Sequence, residues 1–396
     1  MKKIMILGAS ILQLPAIKKA KELGLYVIAV DMDCNAVGFP YADLPLVIST
    51  LDTENVLKAA EEHHIDGIMT IASDRPMNTV AVVAEKLGLT SVSVDTALKA
   101  TNKFEMRKAL QDFGVPVPRF ARVFDIKAFR EALATMTPPV ILKPVDNSGS
   151  RGIFKLERYD DPDAVDAAYN YTKGFSQSGD IVVEEFMTGR EVSVETLSVD
   201  GECHVIQITD KVTTGAPHFV ETGHSQPTRH DADTVEKIKK VTADANKAIG
   251  IANGPSHTEI MVTAEGPKIV ELGARLGGDC ITTHLVPLST GVDMVESCIK
   301  IALGERPDVE RKCEKASAIR FLEGDEGTIA SIQGVEEAMG VPGVCQVSLV
   351  RKVGDKVGAI LSSNDRVGFV IAQADRVDLA IKACEEAKEK IKIDVV

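Results

Sequence analysis

No run of apolar residues in the 396-residue chain approaches the length of a membrane span. The opening MKKIMILGAS looks like a secretion signal for only three residues. Its apolar run is short and passes straight into a strand–turn–helix pattern, so it reads as folded structure. Paired-cysteine signatures are missing too. Seven cysteines, an odd number, are scattered with no Cys-x-x-Cys, which leaves neither a disulfide framework nor a zinc site. That usage predicts reduced thiols and a cytoplasmic location. Basic charge is in deficit. A formal net charge of −13 argues against a nucleic-acid backbone as the main partner. A phosphate-binding protein of this composition must rely on a few placed cations and backbone N–H groups. There is no internal repeat and no low-complexity segment. What remains is 44% hydrophobic and 26% charged, an ordinary soluble composition, long enough for two or three domains.

The first hundred residues alternate strand and helix. KIMILG is a buried strand, LPAIKKAKELG an amphipathic helix closed by Gly24, and YVIAVD a second strand ending at Asp31. DGIMTIASD and MNTVAVVAEKLG repeat the pair, which predicts a parallel, doubly wound sheet. The first turn, GASILQ, lacks a dinucleotide fingerprint, since Ser10 and Gln13 stand where glycines belong. A Rossmann-like fold without NAD is expected. Asn102 caps the next helix with Glu105 at its third position, and Gly114, Pro116 and Pro118 end it. The domain boundaries expected are 1–98, 99–308 with a lid at about 120–190, and 309–396.

Three later stretches carry candidate chemistry. In PVILKPVDNSGSRGIFKL (139–156) a strand ends in Lys143, a small-residue loop follows, and a second strand returns. A P-loop has its lysine after the loop and a helix next, so this is instead a phosphate flap on a hairpin. In DIVVEEFMTGREVSVETL (180–197) a turn at Thr188–Gly189 separates two strands, and Glu191, Ser193 and Glu195 share one face of the second. HTEIMVTAEGPKIVELGARLGGD (257–279) reads as a hairpin. A three-residue loop Ala264–Gly266 would set Glu259 opposite Glu271, where two carboxylates repel unless something positive lies between them, one is protonated or both face water. A two-residue turn would shift that register by one.

The ordered set Lys103, Lys143 with its flap, Glu184, Glu191, Glu259, Glu271 and Arg275 resembles the ATP-grasp superfamily over essentially the whole chain. The resemblance implies an α/β and α+β architecture: an N-terminal Rossmann-like domain, then an ATP-grasp fold with a C-terminal subdomain completing its large lobe. It implies that Lys103 and Lys143 bind ATP phosphates and that Ser148, Gly149, Ser150 and Gly152 form the glycine-rich lid. Glu184, Glu185, Phe186 and Met187 become the adenine-reading hinge, Glu191 the ribose carboxylate, and Glu259 and Glu271 the ligands of Mg²⁺, with Mn²⁺ able to substitute. Many members carry Asn where this chain has Gly273, so either one ion or two is implied.

E-x-G-A-R-x-G-G and DKVTTGAPHFVETGHSQP are similar to the branch that contains L-amino-acid ligases. On that likeness Lys211 reaches the γ-phosphate, Glu221 and His224 face an amino acid, and Arg275 with Gly277 and Gly278 holds an acyl phosphate. Lys143, Lys211 and Arg275 are then the catalytic set, and Cys280 is a packed thiol. The implied activity is ATP-dependent, ADP-forming carbon–nitrogen ligation of a small-molecule carboxylate and an amine. No nucleic acid or membrane is a partner, and there is room for a homodimer. Two rivals stand beside it. One is a bicarbonate-using enzyme resembling carboxyaminoimidazole ribonucleotide synthetase, with R-V-G-F-V (366–370) shared with biotin carboxylase. The other is a non-catalytic nucleotide-binding regulator.

Overall fold

A computed structural model of the chain describes residues 1–149, 151–215 and 219–396. Its first strands, β1 (Lys3–Leu7), β2 (Tyr26–Asp31), β3 (Leu44–Val47) and β4 (Gly67–Met69), form a parallel sheet in the order β3-β2-β1-β4. Alternate residues of β1 enter different cores, Met5 and Leu7 one and Ile4 and Ile6 another. Both faces are therefore covered, which is why these strands read as unbroken apolar runs. β4 is shorter than the apolar stretch predicts. The chain leaves the sheet at Thr70, whose hydroxyl donates to Leu7 O (2.7 Å), and runs as a loop toward the rest of the molecule.

The next four strands, β5 (Phe120–Val123), β6 (Val140–Pro144), β7 (Phe154–Leu156) and β8 (Ile181–Glu185), make a small antiparallel sheet, β5-β8-β6-β7. It has its own core, centred on Phe129, Leu142, Ile181 and Val183. The flap hairpin is β6 and β7, paired from Val140–Leu156 to Leu142–Phe154.

The large sheet takes β9 (Arg190–Val199), β10 (Glu202–Thr213), β11 (Glu221–Gln226), β12 (Gly254–Thr263), β13 (Gly266–Gly273) and β14 (Ala316–Leu322). Of the last strands, β15 (Gly327–Gln333), β16 (Val344–Leu349), β17 (Lys356–Val357), β18 (Gly368–Ala374) and β19 (Lys392–Val395), two join it. Its order is β13-β12-β9-β10-β11-β14-β18-β16, while β17-β15-β19 forms a separate ribbon. The strands on either side of Thr188–Gly189 do not pair with each other. β8 ends the small sheet and β9 begins in the large one, so residues 186–189 cross between two sheets. No helix among the described residues is long and apolar enough to cross a membrane.

Candidate active site

The β12–β13 hairpin turns with two residues rather than three, since Thr263 pairs with Gly266 and Val262 with Pro267. That shift alone would carry Glu271 off its partner. A bulge cancels it: Ile260 pairs with Ile269, Val270 is skipped, and Glu259 faces Glu271 after all. The skipped residue's carbonyl needs another donor, and Arg107 Nη2 supplies it at 2.6 Å.

Each of the two carboxylates has its own lysine. Lys211 Nζ lies 2.7 Å from Glu259, and Lys103 Nζ lies 2.7 Å from Glu271 and 2.8 Å from Asn147 O at the base of the flap. Lys103 stands one residue after the Asn102 cap, whose side chain accepts from the amides of Phe104 and Glu105. Lys211 also contacts Glu191 and, at 3.4 Å, Glu221. Burial opposes its charge, yet these carboxylates hold its pKa well above the usual lysine value. Three carboxylates thus share one ammonium. Burial raises Glu191, while Lys211 and His257 overcome burial to keep Glu259 ionised. The surplus of carboxylate oxygens fits a divalent cation. Among the described residues no three carboxylate, His or Cys groups converge closely enough to hold a metal alone, so phosphate oxygens and water would complete the shell, as Mg²⁺ prefers.

Behind this layer lies a buried relay. Arg107, one helical turn after Lys103, donates from Nε to Glu184 Oε1 at 2.6 Å, and Lys143 Nζ meets the other oxygen at 2.9 Å. On the opposite side His257 Nδ1 donates to the fully buried Glu195 (2.6 Å) and presents Nε2 3.7 Å from Glu259. Burial disfavours the imidazolium, but the Glu195 carboxylate holds it up to about 9. Gly277 leaves room for this pair: a Cβ there would lie 2.6 Å from His257 Nδ1 and 3.0 Å from Glu195.

The segment after β13 is tied to the N-terminal sheet. Arg275 donates from Nε and Nη2 to the two oxygens of Asp74 (2.8 and 3.0 Å), in the loop that follows β4. Farther on, Asp279 accepts a two-pronged contact from Arg366 (2.9 Å each) and lies 3.5 Å from His224. Burial opposes ionisation of Asp279, but His224 and Arg366 together hold it well below the usual carboxylate range. Arg366 also stacks on Phe321, 3.6 Å from the ring centre, and donates to Glu221 O.

The ATP-grasp domain family matches residues 136–283, and the L-amino acid ligase C-terminal domain 2 matches residues 320–396. The chain carries an ATP-grasp domain. Alanine–anticapsin ligase of Bacillus subtilis (strain 168) is 29% identical over 271 residues, covering 63% of this chain and 56% of that one. The match thus spans little more than half of that relative. An L-arginine-specific L-amino acid ligase of Bacillus subtilis is 24% identical, over 78% of this chain and 74% of its own. The crystal structure of an L-amino acid ligase from Bacillus licheniformis superposes with a TM-score of 0.86 at 24% identity, covering 100% of this chain and 99% of that one; at that identity it speaks to the fold.

Around this ATP-grasp domain several expected positions change meaning. Glu184 does not open onto a ligand. It is 1% exposed, and both its oxygens are taken by Arg107 and Lys143. His224 is equally enclosed, edge-on to Phe321 and behind Asp279 rather than facing a substrate. Gly277 answers a packing need, its carbonyl accepting from Thr282 Oγ1, whereas a Cβ on Gly278 would lie 3.8 Å from Ala72 Cβ, an ordinary contact. Arg275 has one edge already occupied by Asp74. Glu185 pairs with Lys268, and Phe186 lies under the ammonium of Lys155 (4.2 Å). Met187 is half-buried beside them. Ser148 and Gly149 sit at the flap tip, Gly152 packs on Phe175, and Ser150 lies outside the described residues. Cys280 is indeed a packed thiol, pushed up to about 12 by burial and then Asp279. The residues to which sequence reasoning gave no role are Arg107, His257 and Arg366, and it marked Asp74 only within a pocket-lining stretch, 73–78. Of the first three, only Arg366 carried a signal, in R-V-G-F-V.

Proposed function

We propose that this protein is an ATP-dependent, ADP-forming ligase that joins the carboxylate of one amino acid to the amine of another through an acyl phosphate. The observation that carries this reading is the facing pair Glu259 and Glu271, each ion-paired with a buried lysine and adjoining the flap. A nucleotide binder would have no need of such a pair. The match to an L-amino acid ligase C-terminal domain supports amino acids as the substrate class.

Mg²⁺, when bound with ATP, supplies neutralising charge to the phosphates, and Glu259 and Glu271 are the residues that would hold it. Lys103 and Lys143 bind the phosphates from beneath the flap. The substrate carboxylate attacks the γ-phosphorus; the bond to the β,γ-bridging oxygen breaks and ADP leaves. Lys211 steadies the charge that moves in that transfer, and Arg275 holds the resulting acyl phosphate. The amine then attacks the acyl carbon and phosphate departs with one carboxylate oxygen. Backbone N–H groups of the flap close over the phosphates and keep water from the intermediate. Glu185, Phe186 and Met187, at the crossover between the sheets, line the adenine position, and Glu191 the ribose.

The oxygen balance supplies the test. An amino acid labelled with ¹⁸O in its carboxylate should deliver one label per turnover to inorganic phosphate, and ADP release should require an amino-acid pair. Label reaching phosphate from bicarbonate instead would move the protein to the carboxylating class.

A further inference from the structure

Gly273 is the last residue of β13, and the structure supplies a reason for its lack of a side chain. A Cβ on residue 273 would lie 2.5 Å from Asp74 Oδ1 and 3.2 Å from Arg275 Nε. Any side chain at 273 would therefore displace the Asp74–Arg275 pair. The pair joins segments 201 residues apart, and its delivery is specific. The loop after β4 holds Ala72 in the left-handed region (φ 57°), uncommon for a residue with a Cβ, and Ala72 N donates to Leu276 O at 3.1 Å. Asp74 is thereby docked against the residues on either side of Arg275.

The division of the guanidinium is informative. Asp74 takes the side edge, Nε and Nη2. Among the described residues Nη1 makes only a 3.3 Å contact with Leu276 O. The end edge, Nη1 with the second hydrogen of Nη2, stays available for a planar pair of anionic oxygens. Both side chains are about 15% exposed or less, so the ion pair is little screened. Burial opposes ionisation of Asp74, but Arg275 first and then Lys103 and His257 hold it below the usual carboxylate range, which sets the carboxylate among the cations of the catalytic centre.

We propose that Asp74 is the positioning residue of Arg275: a carboxylate from the loop after β4 fixes the plane of the guanidinium so that its end edge faces the transferred phosphoryl group. Gly273 is glycine to admit it. The inference rests on the proposed role of Arg275 as the group that holds the acyl phosphate.

A phosphate-binding measurement tests it without requiring the amino-acid substrates. Inorganic phosphate is titrated calorimetrically into the intact protein saturated with MgADP. Wild type should bind phosphate, and Arg275→Ala should not. Asp74→Ala should weaken phosphate by about tenfold or more, the usual loss when an orienting partner is removed, while ADP affinity stays unchanged. Asp74→Asn, which keeps the shape, should fall between them and guards against misfolding of the alanine variant. The competing effect has the opposite sign, because loss of a carboxylate near an anion site favours the anion. Phosphate binding as tight as wild type, or tighter, in either Asp74 variant overturns the proposal and leaves Asp74 a structural tie. Equal phosphate affinity in wild type and Arg275→Ala overturns it too. A wild type that binds phosphate as expected, but releases no ADP with any amino-acid pair, would refute the ligase reading and leave this inference standing.

Discussion

Glu184 shows how one carboxylate can serve the fold and the site together. Burial alone would raise its pKa, but Arg107 and then Lys143 outweigh burial and hold it at about 2, against an ordinary 4.5. Its folded value lies below its unfolded one, so its contribution to stability is fully present above about pH 4.5 and is lost as pH falls toward 2. The shift corresponds to something on the order of 3 kcal/mol. Glu184→Gln should flatten the acid limb of a stability-versus-pH curve, read from urea midpoints across that window. At neutral pH the same variant should lose about 3–5 kcal/mol, because two buried cations lose their partner. An acid limb as steep as wild type's would mean that other carboxylates govern acid unfolding. The residue types at these positions were legible in the sequence; their partners were not. Arg107 lies 77 residues from Glu184, and nothing in a helix of mixed charge marks Lys103 and Arg107, rather than Lys108, as the cations turned inward.

The hairpin and the strand end that follows it depend on two compensations. In β12 and β13 the sequence pointed to the right facing pair through the wrong turn. A two-residue loop and a one-residue bulge together place Glu259 across from Glu271, and a bulge inside an alternating apolar run leaves no mark in the residues themselves. The crossover at residues 186–189 was harder still, since a turn signal between two apolar runs looks the same whether the strands pair or part. At the end of β13, Gly273 should be intolerant of any Cβ. Gly273→Ala should cost about 1–3 kcal/mol in a thermal or urea melt, an ordinary overpacking penalty. Adding Asp74→Gly should recover part of that loss, so the two substitutions should be non-additive. Strict additivity would show that the two positions do not compete for space.

Seen whole, the molecule sets Lys143 and the flap on the small sheet and Glu259, Glu271 and Lys211 on the large one. A nucleotide held by both would tie the two sheets together, so MgATP should raise the melting temperature of wild type by mass action. Lys143→Met should melt close to wild type without nucleotide, since Glu184 keeps Arg107, yet gain little from MgATP. Its turnover should fall on the order of a hundredfold or more, as when a donor to a charged transition state is removed. An undiminished MgATP shift in that variant would remove Lys143 from the phosphate site. The order of the large sheet has one more consequence, which concerns synthesis on the ribosome. β11 pairs with β10 on one side but with β14 on the other, and β14 is some ninety residues younger. Until that strand emerges, β11 is the open rim of a growing sheet, the kind of edge to which other nascent chains adhere. Its six residues are Glu-Thr-Gly-His-Ser-Gln, with no aliphatic side chain among them. A strand that must wait unpaired is made of residues poorly suited to capturing a stranger.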